Sequence, residues 1–240
     1  MRVFYDGSFE GFLSIVYEAY YQKLPISSIS KYANELLLDA TIVATNEENA
    51  QKVLHALHKK FEPKNFELIL NIFLCDSAQF ELDLFLFIKC GFASQQNLGD
   101  INLPFVFRLQ NLQKELFRHK HKMTGFIRFV ETDSGLLYAK IETKFDVAFL
   151  LGKHFMKRFN NQNFIIHDIN RKIAFVKIDE FAGMQNVESF EEPILSQNEM
   201  KFDKLWKTFF ENVAIQERKN HKLQRQMVPL LYRVFMNEFD

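Results

Sequence analysis

Residues 125–142 read "GFIRFVETDSGLLYAKIE", and the change of period around this stretch decides the fold. Just upstream, "PFVFRLQNLQKELFRHKHKM" (104–123) predicts a helix. From Thr124 the period changes: "GFIRFVE" and "LLYAKIE" flank "TDSG" and predict a β-hairpin. Alternation would put Phe126 and Arg128 on one face of that hairpin, with Ile127 and Phe129 turned inward. Next, "DVAFLLGKHFMKRF" (146–159) predicts an amphipathic helix, and "NFIIHDI" and "KIAFVKI" predict a second hairpin across "NRK". Hairpin, helix and hairpin together give a small antiparallel sheet packed on helix 146–159. The acidic stretch 179–193 reads as a loop, and 200–239 as two or three helices broken near Pro229.

Toward the N-terminus, "MRVFYDG" predicts a strand ending in an Asp-Gly turn. Phe9, Phe12, Leu13, Val16 and Tyr20 then recur at helical spacing behind Ser8, a candidate N-cap. One glycine in "YDGS" falls far short of a Gly-rich phosphate cradle. After Pro25, residues 35–45 predict one or two strands and 46–61 a helix capped by Asn46. Residues 66–92 predict two mostly buried helices. The fold class is α+β, a single domain over 1–240. Its sub-parts are a mainly helical 1–123 with an N-terminal strand, and 124–240 with a small antiparallel sheet and C-terminal helices.

Composition limits the function classes. Lys plus Arg and Asp plus Glu both number 30, so a basic field spread over the whole chain is absent and any anion binding must come from local segregation of charge. The 28 Phe residues have no polar handle and belong mostly in a core. Cys75 and Cys90 form no CxxC motif and read as buried free thiols of a reducing cytoplasm. Two cysteines are too few for an iron–sulfur cluster, and the histidines lack ligand spacing, so no metal and no cofactor is expected. No signal segment or membrane-length apolar run occurs; Glu67, Asp76, Glu81, Asp83 and Lys89 cut the most apolar stretch, 66–92.

Four stretches carry chemistry. Residues 118–122 are Arg118, His119, Lys120, His121 and Lys122; with Lys114 and Arg128 nearby and Glu115 the one acid of 114–128, they suit phosphate contacts or, equally, a helix C-terminus. His154, Lys157 and Arg158 stand at i, i+3 and i+4, close to one helix face. His167 and Asp168 are candidates for acid–base work, although neighbours on a strand point to opposite faces. Asp168 and Asn170 equally suit a hairpin turn, and Arg171 a solvent position or an anion contact. Arg218, Lys219, Lys222 and Arg225 stand against Glu217 alone, interleaved with Asn220, Gln224 and Gln226, a mixture that suits phosphate contacts with some base reading. No GxSxG, HExxH or Walker motif names a reaction.

Five stretches carry a resemblance: "YDGSFEGFLSIVYEAY" (5–20), "HKMTGFIRF" (121–129), "HFMKRF" (154–159), "FIIHDINRKIAFV" (164–176) and "LWKTFFENVAIQERKNHKLQRQMVPLLYRVFMNEF" (205–239). The chain resembles a bacterial family of probable DNA metabolism proteins, whose domain also occurs fused ahead of a uracil-DNA glycosylase domain of the iron–sulfur type. The resemblance implies a cytoplasmic protein of DNA repair or modification, contacting DNA and partnering a radical S-adenosylmethionine protein. Three functions remain: a DNA-associated accessory protein, a nucleic-acid- or nucleotide-processing enzyme using His167 and Asp168, and a protein–protein adaptor without nucleic-acid contact.

Overall fold

Val3 and Tyr5, two residues apart on β1 (Arg2–Tyr5), point to one face and are 1% and 0% exposed, so the first strand sits at the middle of a sheet. The computed structural model describes residues 1–31, 40–189, 191, 193–213 and 220–239. Two compact units divide the chain, Met1–Leu116 and Phe117–Asp240. The sequence-based division at 123/124 thus lies a few residues beyond this boundary, inside the same helix. The fold class is α+β.

In the first unit, β1 pairs in parallel with β2 (Ser28–Lys31) on one side and β3 (Ala40–Ile42) on the other. Parallel neighbours need a long return path, which α1 (Phe9–Gln22) supplies between β1 and β2. Ser8 caps α1, its hydroxyl accepting from the Gly11 N–H at 2.9 Å, and Asn46 likewise caps α2 (Glu47–Lys60). Then α3 (Pro63–Phe73), α4 (Glu81–Ala93) and the first half of α5 (Pro104–Phe126) complete the unit. Phe12, Leu57, Ile69, Ile72 and Phe87 are fully buried at its centre. One strand was foreseen at the N-terminus; the parallel three-stranded sheet was not. Of the 35–45 prediction, 40–42 forms β3 and 35–39 lie outside the described residues.

The second unit holds a five-stranded sheet in the order β4 (Val130–Glu131), β5 (Leu137–Ile141), β6 (Phe164–Asp168), β7 (Ile173–Ile178), β8 (Phe181–Asn186). Both hairpins form, but the sheet is mixed rather than antiparallel, because β5 and β6 run parallel. The reason is α6 (Ala148–Phe159): a helix between the hairpins returns the chain to the starting edge, so the next strand points the same way. The first hairpin is also shorter than alternation implied. Helix α5 continues through Phe126, leaving β4 two residues long, so Phe126 and Arg128 do not share a strand face. Residues 181–186, read as loop, form the edge strand β8. Its side chains are mostly exposed, so it carries no alternating apolar signal.

Helix α6 packs on β6 and β7 through Leu151 and Phe155. Gly152 lets it approach closely, since a Cβ there would lie 2.2 Å from the Phe175 ring. Phe129, Phe155, Phe159 and Phe164 form a cluster of edge-on and tilted rings with centroids 4.8–6.1 Å apart. Toward the C-terminus come α7 (Gln197–Val213) and α8 (His221–Met227). Beyond Pro229 the described chain forms only short 3-10 turns, at Leu230–Tyr232 and Asn237–Phe239.

Candidate nucleic-acid interface

His167 and Asp168 close β6, 4% and 0% exposed, and each has its own partner. The Tyr138 hydroxyl and His167 Nδ1 lie 2.8 Å apart across the buried interior. Asp168 turns the other way: its Oδ2 accepts from Arg171 Nη1 at 2.8 Å and its Oδ1 from the Arg171 backbone N–H at 3.2 Å. Arg171 in turn donates to the carbonyls of Thr143 and Lys144 at 3.1 and 3.0 Å. Strand alternation separates His167 from Asp168 as their adjacency required. Arg171 is not a solvent residue: its side chain is 18% exposed and clamps the β6–β7 turn to the loop before α6.

Arg128 is also committed within the fold. Its Nη1 reaches the carbonyls of Gly125 and Phe126, the last of α5, and of Ile127 just beyond, at 3.2–3.4 Å. Its Nη2 meets Glu238 Oε1 at 2.5 Å, with the carboxylate side chain 5% exposed. Burial pushes the Glu238 carboxyl up, but the Arg128 hydrogen bond, aided by Glu238's own backbone and the Trp206 indole, holds it below the usual carboxylate range. His119 is buried in the same region, its Nδ1 2.9 Å from the Tyr232 hydroxyl.

The other cations of α5 face outward. Arg118, His121 and Lys122 are exposed and Lys120 is half-buried. Lys122 Nζ lies 5.9 Å over the Tyr232 ring. Lys120 projects toward α6, where His154 is half-buried and Lys157 and Arg158 are exposed. Burial holds His154 below its ordinary range, and Lys120, Arg158 and Lys157 push it further down in that order. Among the described residues, the charged groups that shift His154 are cations. Two basic stretches, 34 residues apart when measured from Lys120 to His154, form one cluster. Its fourth member, Lys157, was visible in the i, i+3 spacing from His154; the approach of Lys120 had no local signal.

The third basic stretch is only partly described. Arg218 and Lys219 lie outside the described residues. The Asn220 side chain caps α8, accepting from the Leu223 N–H at 3.0 Å. Lys222 and Arg225 are exposed one turn apart on α8. Among the described residues, no group of three or more His, Cys, Asp or Glu side chains is arranged to hold a metal, and no helix is long and apolar enough to cross a membrane. Cys75 and Cys90 are free thiols.

No curated protein matches the chain. A family model does, over residues 78–238: a domain of unknown function, DUF4130. The match takes in α4, α5, the whole mixed sheet and both C-terminal helices, including the α5–α6 cationic cluster, and leaves the parallel sheet outside it. Covering more than half of the sequence, it shows that the chain belongs to the DUF4130 family.

Proposed function

We propose that the chain is a nucleic-acid-associated accessory protein that docks on a phosphate backbone through the cations of α5 and α6. One observation carries this reading: Lys120, Lys157 and Arg158 all act on the half-buried His154, next to the exposed Arg118, His121 and Lys122. Such a cluster on a chain of zero net charge is the local segregation that phosphate binding needs. Lys222 and Arg225, exposed on α8, are further cations that this reading assigns to phosphate contacts. Arg225 is seven residues from Tyr232, over whose ring Lys122 sits, so it lies within about 25 Å of that ring.

The resemblance to probable DNA metabolism proteins supports DNA as the nucleic acid, repair or modification as the context, and a radical S-adenosylmethionine protein as the partner that carries the chemistry. It also supports a cytoplasmic site of action, as do the two free thiols. Fluorescence anisotropy with single- and double-stranded oligonucleotides across a salt series tests the reading. Salt-sensitive binding supports it, and absence of binding at low salt refutes it.

A further inference from the structure

Phe202, Leu205, Trp206 and Phe209 on α7 are 66%, 64%, 45% and 57% exposed. They stand at i, i+3, i+4 and i+7, so they form one continuous stripe along the helix. The other side of α7 is occupied by its own unit. Asn237 donates to Asp203 at 2.8 Å, Phe210 meets Phe239 edge-on at 5.9 Å, and Glu199 accepts from the Glu131 N–H at 3.0 Å. Trp206 has its indole N–H toward Glu238 and its ring stacked on Phe209, 5.9 Å between centroids. The stripe is thus a held surface, with its largest side chain anchored at one edge and bare elsewhere.

We infer that this stripe joins two copies of the chain, with α7 packed antiparallel on α7 of the second copy. The spacing is palindromic. A two-fold axis midway between 205 and 206 sets Phe202 against Phe209 of the second copy and brings Leu205 and Trp206 of both copies together at its centre, and Leu205 is the central residue of Gln197–Val213. A two-fold interface requires this self-complementarity, in which residue i meets j and j meets i.

Charge permits the pairing. Lys201 flanks the stripe and, under the same operation, faces the neutral Thr208 and Asn212 of the second copy; Lys204 and Lys207 lie around the helix, away from it. Size favours it as well. With Val213, 59% exposed, at one end, the stripe offers on the order of 500–600 Å² per copy, which doubles to roughly the 1,000 Å² expected of a specific interface. The inference is independent of the nucleic-acid reading, because the stripe lies on α7 and the cations on α5 and α6.

Sedimentation of the full chain from low- to high-micromolar concentration tests it. The apparent mass should double, and emission of Trp206, the single tryptophan, should shift to the blue with the same concentration dependence. L205K and L205E should each stay monomeric while keeping the wild-type circular dichroism. An equimolar mixture of the two should recover the dimer, because the axis sets residue 205 beside its counterpart. A wild type that is monomeric throughout overturns the inference, as does a dimer that survives either substitution or a mixture that stays monomeric. Quenching of Trp206 by a single-stranded oligonucleotide in a monomeric protein also overturns it and makes the stripe a stacking platform for bases.

Discussion

Arg128 closes on Glu238 across 110 residues of sequence, a 2.5 Å contact that ties the C-terminal turn to the end of α5. Arg128 thereby does two things at once: it satisfies the last carbonyls of α5 and fixes the segment on which α7 rests. Removing it leaves a buried carboxylate without its main partner. We expect R128A to lower stability by about 2–3 kcal/mol in urea denaturation. Loss of salt-sensitive oligonucleotide binding with unchanged stability would instead make Arg128 a phosphate contact.

The same pair fixes a pH dependence. The Glu238 carboxyl is held below its ordinary range in the folded chain. Its stabilising contribution is therefore complete above the ordinary carboxylate range of the unfolded chain and is lost as pH falls through the depressed range of the folded one. E238Q should be less stable at neutral pH and show a shallower loss of stability on acidification. An unchanged acid limb in E238Q would show that Glu238 does not contribute to it.

Asp168 and Arg171 make a more deeply buried pair, with side chains 0% and 18% exposed. R171A should cost about 3–5 kcal/mol, since it strands a buried carboxylate. R171K should recover only part of that, because a lysine cannot reach Asp168 and the Thr143 and Lys144 carbonyls together. Y138F removes only the hydroxyl facing His167 and should cost about 1 kcal/mol. If H167A left the thermal transition unchanged and abolished a reconstituted reaction, the acid–base reading would return.

How far these features could be read in the sequence depends on their range. Local ones were plain: Ser8 and Asn46 as caps, the second hairpin across Asn170, Arg171 and Lys172, and the amphipathic α6. Long-range pairing was not. Nothing near Arg128 announces Glu238, and nothing near His119 announces Tyr232. The parallel β5–β6 pairing was implicit in strand–helix–strand order but hidden by two strong hairpin signals. Edge strand β8 was missed because a strand exposed on most of its residues shows no alternation. At the site, the i, i+3, i+4 spacing of His154, Lys157 and Arg158 was legible, whereas the meeting of Lys120 with them is a tertiary fact.

Gly152 tests the packing of α6. A methyl group there would press on the face of Phe175, which is 2% exposed and cannot easily move. G152A should destabilise by about 1–3 kcal/mol, against the small gain a helix normally draws from Gly→Ala. A stabilised G152A would contradict the close approach of α6 to β7.

His154 couples binding to protons. Burial and three cations keep it neutral below its ordinary range in the free protein. A phosphate beside it favours the charged form, so its affinity for protons rises in the complex and binding takes up protons. Oligonucleotide affinity should therefore increase as pH falls through the His154 range, and H154Q should flatten that dependence. Equal pH dependence in wild type and H154Q would place the phosphate away from His154.

The central claim is that Lys120, Lys157 and Arg158 contact a phosphate backbone together. The most direct measurement is the logarithmic salt slope of oligonucleotide binding for the wild type and for the triple K120A/K157A/R158A variant. Each phosphate contact contributes roughly 0.9 to the slope on duplex DNA, so the triple variant should be flatter by about two to three with its thermal transition retained. Identical slopes for the two proteins, or a wild type with no salt-sensitive binding, would contradict the account.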